Sequence, residues 1–144
     1  MTVDETPAYR ARLDQLVQQG PSDPIGQLLG WRGIRWDEGS FDLAWEAENT
    51  FIHGGGIIHG GMLTTLLDTA MGLAVATVMQ QGEATATADL HVQFLRAARP
   101  GRLTVRGTLL RRTRQLAFCA GQVQDAEGVE LVHGVGTFAI VQAR

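Results

Sequence analysis

The segment from His59 to Asp68 combines residue types that can activate a nucleophile and stabilise negative charge. Gly60 and Gly61 leave unhindered backbone N–H groups where a helix would begin. Such unpaired donors, together with the positive end of the helix dipole, can bind an anion or a developing oxyanion. Asp68 falls within a strongly apolar stretch, where an ionisable side chain needs a partner or a function. The segment therefore predicts an oxyanion or anion site, although a tight glycine-rich loop into a helix would have the same pattern.

Asp68 also belongs to a stripe of small and polar residues at spacings of three or four, which places them on one side of a helix. The members are Gly61, Thr64, Thr65, Asp68, Gly72 and Ala76. A ligand or another backbone can approach a helix closely along such a stripe. The residues leave a second interpretation equally open, in which a Thr64 or Thr65 hydroxyl satisfies Asp68 at a helix–helix contact.

Other common chemistries lack their sequence patterns. No Gly-Lys-Ser/Thr follows the glycine run 54–56, and the serines, Ser22 and Ser40, stand outside any Gly-x-Ser-x-Gly pattern. Three histidines, at positions 53, 59 and 91, come without His-Glu-x-x-His or a cysteine pair. Cys119 lies in an apolar strand pattern typical of a buried structural thiol. We therefore expect no metal and no cofactor.

Composition excludes several partners. The chain has 144 residues, of which 44% are hydrophobic, and its 12 basic residues against 15 acidic ones give a net charge of −3, which argues against nucleic-acid binding. The stretch from Gly61 to Met79 approaches the length of a membrane span, but Asp68 and three threonines favour a helix buried in protein, so we expect no membrane partner. A single cysteine and a charged N-terminus indicate a cytoplasmic protein.

The remaining chain supplies the elements that must position these residues. Apolar periodicity predicts a helix over 4–19, a helical turn or two over 24–30 and a long helix over 61–80. Alternation predicts a strand over 41–47, which would pair with a strand over 31–36 across the turn 37–40. Stretches rich in Val, Thr, Leu and Phe between turn signals predict four further strands as an antiparallel meander, over 85–95, 102–111, 115–124 and 129–141. Phe41, Leu43 and Trp45 would face inward, and Asp42 and Glu46 outward. We therefore expect one α+β domain over 1–144, with an N-terminal helical segment (1–29) and a core (30–144) whose sheet wraps round the long helix.

Two segments of the sequence resemble those of a known protein family. The first runs from His59-Gly60-Gly61 through Asp68 to Gly72, and the second comprises 86–96 with Pro100-Gly101. Together they resemble the hotdog-fold acyl-CoA thioesterases of the phenylacetate-pathway (PaaI-like) type, over about 30–141. The resemblance implies hydrolysis of acyl-CoA, dimers with active sites at the interface, and homotetramers.

Matched by position, the resemblance also implies roles for individual residues. Gly60 would provide the oxyanion-hole N–H, Asp68 would be the nucleophile or general base, Thr87 would help to place water, and His59 would flank the thioester carbonyl. His53 stands where the family commonly has asparagine. From the same resemblance, we expect the substrate to contact His53, Gly61 and Thr65.

Helix geometry gives an independent reason for a dimer. Gly60 and Asp68 are eight residues apart, so about 12 Å separates their backbones along the helix axis. An antiparallel second copy of the helix would bring each Asp68 near the other chain's Gly60. Two rival functions remain: a hotdog dehydratase or hydratase that uses a histidine–carboxylate pair, and a non-catalytic acyl-CoA-binding or regulatory protein. Seven arginines between 96 and 114, in a segment without acids, are candidates for binding coenzyme A phosphates.

Overall fold

A computed structural model of the chain describes residues 8–143. The helices are α1 (Ala8–Gln19), α2 (Pro24–Leu29) and α3 (Gly60–Ala76), with a 3₁₀ turn at Asn49–Phe51. The strands are β1 (Arg32–Asp37), β2 (Ser40–Ala47), β3 (Glu83–Phe94), β4 (Gly101–Arg112), β5 (Leu116–Gln124) and β6 (Glu130–Gln142). The first predicted helix began at Asp4, and its residues 4–7 lie outside the described residues.

The end of α3 comes before the predicted position near residue 80. At the C-cap of α3, the Thr77 hydroxyl donates to the Ala74 carbonyl at 2.7 Å and accepts the Gly39 N–H at 2.7 Å. These bonds fasten the helix end to the β1–β2 turn. The chain then turns and enters β3.

The strands form a six-stranded antiparallel sheet in the order β1-β2-β4-β5-β6-β3. The expectation of a continuous meander was therefore wrong for β3, which pairs with β6 instead of β4. The backbone N–H groups of Leu95 and Arg96 donate to the Leu131 carbonyl and keep the end of β3 beside β6. Residues 95–100 then cross to β4, so β3 becomes an edge strand.

The sheet curves round α3, and the apolar face of the helix is buried against it. This face consists of Leu63, Leu66, Leu67, Ala70, Met71, Ala74 and Val75. Gly107 on β4 permits the close approach, because a Cβ at this position would overlap the Ala70 carbonyl. Loss of a fully buried leucine such as Leu66 would cost about 2–5 kcal/mol. The α+β class is confirmed.

One predicted surface carboxylate is instead buried. Asp42 accepts from Arg35 Nε at 2.8 Å, and from Arg106 Nε and Nη2 at 2.7 and 3.1 Å. Burial would by itself raise the pKa of Asp42, but the hydrogen bonds and charges of Arg106 and Arg35 outweigh it and hold the pKa below its ordinary value. Arg106 is thus a structural residue of the sheet.

A second arginine of the 96–114 segment is also engaged structurally. Arg112 Nη2 contacts both carboxylate oxygens of Glu83, at 2.6 and 2.7 Å, and Nη1 donates to the Val78 carbonyl. These bonds tie β4 to the start of β3 and to the chain just after α3. Neither Arg106 nor Arg112 remains a candidate for binding phosphate.

Candidate active site

The helix α3 begins at a histidine that caps it. His59 has extended backbone angles (φ −60°, ψ 129°), and its Nδ1 accepts the Gly61 N–H at 2.9 Å. A Cβ at Gly61 would lie 2.9 Å from that Nδ1, so glycine leaves room for the cap. The His59 N–H donates to the Phe51 carbonyl, and the preceding Ile58 N–H donates to Ala98. The loop before α3 is therefore hydrogen-bonded both to the 3₁₀ turn and to the segment that precedes β4.

Gly60 occupies the first position of the helix, where no intrahelical acceptor exists. Among residues 8–143, no acceptor is hydrogen-bonded to its N–H. A Cβ at Gly60 would lie 3.0 Å from Phe94 Cζ, at the end of β3. Phe94 is a neighbour that the sequence patterns did not identify. The Gly60 N–H is thus free to donate to a ligand at the positive end of a 17-residue helix.

Asp68 lies on the same helix, and Thr87 of β3 is its hydrogen-bond partner. The Thr87 hydroxyl donates to Asp68 Oδ1 at 2.7 Å. Thr87 directly precedes a shift in the β3–β6 register between Thr87 and Asp89, and such bulges commonly redirect side chains. The structure therefore brings together two of the predicted site residues from distant parts of the sequence.

The competing interpretation of Asp68 is wrong, because the two nearby threonines bond elsewhere. The Thr64 hydroxyl donates to the Gly60 carbonyl and the Thr65 hydroxyl to the Gly61 carbonyl, both at 2.9 Å. The apolar sequence around Asp68 suggested a deeply buried carboxylate, but the structure leaves Asp68 only partly buried. The stripe that contains it is the part of α3 that the sheet leaves partly open.

A cavity of about 440 Å³ opens beside Asp68 and Thr87. It runs along α3 past Gly72 and Ala76, with β3 on one side and the α1–α2 segment on the other. Volumes of this order are typical of small-molecule sites. Part of its wall comes from the N-terminal helical segment, to which the sequence had assigned no role in the site.

The predicted site residues fall into two groups at different positions along α3. His53, His59, Gly60 and Gly61 lie at its beginning, and the rings of His53 and His59 are nearly perpendicular with centroids 6.3 Å apart. His53 Nδ1 accepts the Gly55 N–H at 2.8 Å. Asp68 and Thr87 form the second group, and Thr65 lies on the stripe between the two.

Several other features limit the chemistry. Within residues 8–143, no three His, Cys, Asp or Glu side chains are grouped so that they could hold a metal ion. Cys119 is buried, and desolvation raises its pKa to about 12, so its thiol is a poor nucleophile. In the same range, no helix is long and apolar enough to cross a membrane.

A curved antiparallel sheet around one central helix, with polar groups on the open stripe of that helix, defines a hotdog-fold protein. The chain belongs to the thioesterase superfamily, whose family model matches residues 55–132, just over half of the chain. The predicted hotdog fold and thioester hydrolase activity are thereby confirmed.

One relative by sequence and two solved structures are similar to this chain, and the structures share its fold. A Saccharolobus solfataricus protein whose name assigns it provisionally to the esterases is 25% identical over 123 residues, which cover 85% of this chain and 87% of that protein. The structure of a thioesterase family protein from Silicibacter pomeroyi aligns with a TM-score of 0.83 and 22% identity, over 94% of this chain and 99% of that one. The structure of the PaaI protein from the phenylacetic acid degradation operon of E. coli aligns with a TM-score of 0.82 and 21% identity, over 92% of this chain and 96% of that one.

Proposed function

We propose that the protein hydrolyses acyl-CoA thioesters, with Asp68 as the nucleophile or general base. The observation that carries this proposal is the hydrogen bond from Thr87 to Asp68 at the mouth of the cavity. The single hydroxyl hydrogen of Thr87 is donated to Asp68, so its oxygen can still accept a hydrogen from water. A water bound between Thr87 and the second oxygen of Asp68 would be oriented for deprotonation.

In the general-base route, Asp68 removes a proton from this water as the oxygen attacks the thioester carbonyl carbon. The carbonyl oxygen becomes negative and accepts the N–H of Gly60. The tetrahedral intermediate then expels the coenzyme A thiolate, which recovers the proton from Asp68. In the nucleophilic route, Asp68 attacks the carbon directly, and the C–S bond breaks to release coenzyme A thiolate as a mixed anhydride forms. Water then hydrolyses the anhydride to the free acid and the Asp68 carboxylate, and the proton that the water loses neutralises the thiolate.

Each active site would be shared by two protomers. Gly60 and Asp68 are about 12 Å apart along one helix, and the intact helix α3 offers no bend that would shorten this separation. Strand β3 is an edge strand whose residues are mostly exposed. A twofold pairing of β3 edges would cover this edge and bring an antiparallel α3 alongside. The homotetramer implied by the resemblance stays a prediction.

The two histidines would act as hydrogen-bond donors. Because Nδ1 of each ring accepts a backbone N–H, the neutral rings carry their hydrogen on Nε2. His59 would thus present an N–H toward the thioester, and His53 would donate where related proteins commonly use the amide of asparagine. Gly61 and Thr65 would line the substrate's path between the two groups.

Arg99 is the arginine best placed for a coenzyme A phosphate. It is exposed and makes no ion pair with an acid among residues 8–143. It directly follows Ala98, whose carbonyl accepts from the residue before His59. A phosphate near Arg99 would therefore lie on the same side of the molecule as the start of α3.

Release of free thiol from a panel of aliphatic and aryl acyl-CoAs tests this proposal. We expect Asp68→Asn to lower kcat by at least about 100-fold. Glu38→Gln, in the exposed β1–β2 turn, removes a carboxylate that does not line the cavity and should leave turnover unchanged. Full activity of Asp68→Asn would refute the assignment, and tight binding of acyl-CoA without turnover by the wild type would favour the binding-protein alternative.

A further inference from the structure

The cavity beside Asp68 extends well beyond the atoms that the reaction needs. Asp68, Gly72 and Ala76 are successive residues on one stripe of α3 that lines it. Because these positions are spaced by four residues, the stripe runs for about 12 Å from Asp68 to Ala76. An acetyl group would fill only the beginning of such a space.

The walls of the cavity are mainly apolar. They include Leu13, Leu29, Trp31, Leu73, Met79 and Phe138. Besides Asp68, the lining residues include two acids, and both are engaged in the fold: Glu83 is paired with Arg112, and Asp23 caps α2 by accepting the Gly26 N–H. An apolar group could therefore enter without separating either acid from its partner.

We infer that this cavity is the acyl subsite and takes an apolar acyl group of medium length, an inference that rests on the proposed function. Asp68 and Thr87 lie at one end of it, so a thioester carbonyl held there directs its acyl chain along α3 toward Ala76. The N-terminal segment forms the outer wall through Leu13 of α1 and Leu29 of α2. Gly72 and Ala76 then set the length of chain that is accepted.

Gly72 offers a way to shorten the cavity without disturbing the backbone. A Cβ at Gly72 would lie 3.5 Å from Phe138 Cε1, which is an ordinary van der Waals contact. A side chain also favours the helix relative to glycine. Leucine at position 72 would close the cavity one turn beyond Asp68, whereas leucine at position 76 would close it two turns beyond.

The experiment compares kcat/KM for acetyl-, butyryl-, octanoyl- and palmitoyl-CoA in the wild type, Gly72→Leu and Ala76→Leu. We expect the wild type to prefer octanoyl-CoA. Gly72→Leu should lower kcat/KM for octanoyl-CoA by about 10-fold or more relative to butyryl-CoA, and Ala76→Leu should produce a smaller fall. Ala126→Leu, in the exposed β5–β6 turn, is the matched control and should keep the wild-type profile.

The outcomes separate this inference from the proposed function. Hydrolysis of no acyl-CoA by the folded wild type would refute the proposed function itself. An active wild type with an unchanged chain-length profile in Gly72→Leu would refute only the acyl subsite. If thermal unfolding shows that Gly72→Leu does not fold, Gly72→Ala decides the question, because its smaller side chain should shift the profile in the same direction.

Discussion

Thr87 on the edge strand β3 donates a hydrogen bond to Asp68 on the central helix at 2.7 Å. The bond joins two residues that are 19 positions apart, and it fixes one oxygen of the only carboxylate on α3. In the proposed mechanism, the other oxygen binds water or substrate.

Thr87→Val removes the hydroxyl and keeps the shape of the side chain. We expect kcat to fall by about 10- to 100-fold, because a hydrogen bond to a charged group contributes about 1.5–3 kcal/mol. KM should change little. Thr87→Ser retains the hydroxyl and should recover most of the activity, whereas equal activity of the valine variant would show that the hydroxyl has no role.

Gly60→Pro removes the proposed oxyanion donor and is compatible with the start of a helix, with a small shift of the Phe94 ring because a Cβ at position 60 would lie 3.0 Å from its Cζ. Proline is favoured at the first helical position, and the extended backbone of His59 suits a residue before proline. We expect kcat to fall by about 100- to 1000-fold. Circular dichroism should show that the variant folds, and steady-state kinetics that retain the wild-type kcat would exclude this N–H from catalysis.

Arg99→Ala should weaken the binding of coenzyme A specifically. We expect KM for an acyl-CoA to rise several-fold, while kinetics with the corresponding acyl-N-acetylcysteamine, which has no phosphates, stay unchanged. Arg114→Ala, in the exposed β4–β5 turn, serves as the control. A similar rise in KM for both thioesters would contradict a phosphate contact.

The buried carboxylate Asp42 predicts a pH dependence of stability. Because its pKa is lowered in the folded protein, its ionised form stabilises the fold above the ordinary carboxyl pKa of about 4. This contribution is lost as the pH falls from about 4 through the lowered pKa. Urea unfolding should therefore show that Asp42→Asn is less stable than the wild type at pH 7 and that the difference shrinks at pH 3. A difference that is independent of pH would contradict the ion-pair interpretation.

The helices and strands could be predicted because their signals are local. A long apolar stretch located α3, and alternation, strand-favouring composition and turn signals located β1 to β6 to within a few residues. The position of β3 could not be predicted in this way, because its pairing with β6 joins residues such as Phe94 and Val132 that are distant in sequence. Asp42 was misassigned to the surface for a similar reason, since Arg35 and Arg106 come from two neighbouring strands.

The candidate site also combines residues that the sequence could identify with residues that it could not. The glycines after His59 indicated an anion-binding helix start, and Asp68 was conspicuous as a carboxylate in an apolar helix. The sequence resemblance, and no local pattern, pointed to Thr87. Neither approach identified Phe94 beside Gly60, or Leu13 and Leu29 in the cavity wall, because apolar residues of these types are ordinary in any core.

The sharing of each site by two protomers is tested most directly by mixing two inactive variants. Asp68→Asn chains keep Gly60, and Gly60→Pro chains keep Asp68, so a mixed dimer contains one intact shared site and one doubly damaged site. The two chains would carry different tags, be co-expressed and be assayed for thiol release. In a random mixture half of the dimers are mixed, so we expect about a quarter of the wild-type activity. A mixture that is as inactive as each parent, although mixed dimers are recovered through both tags, would contradict the shared site.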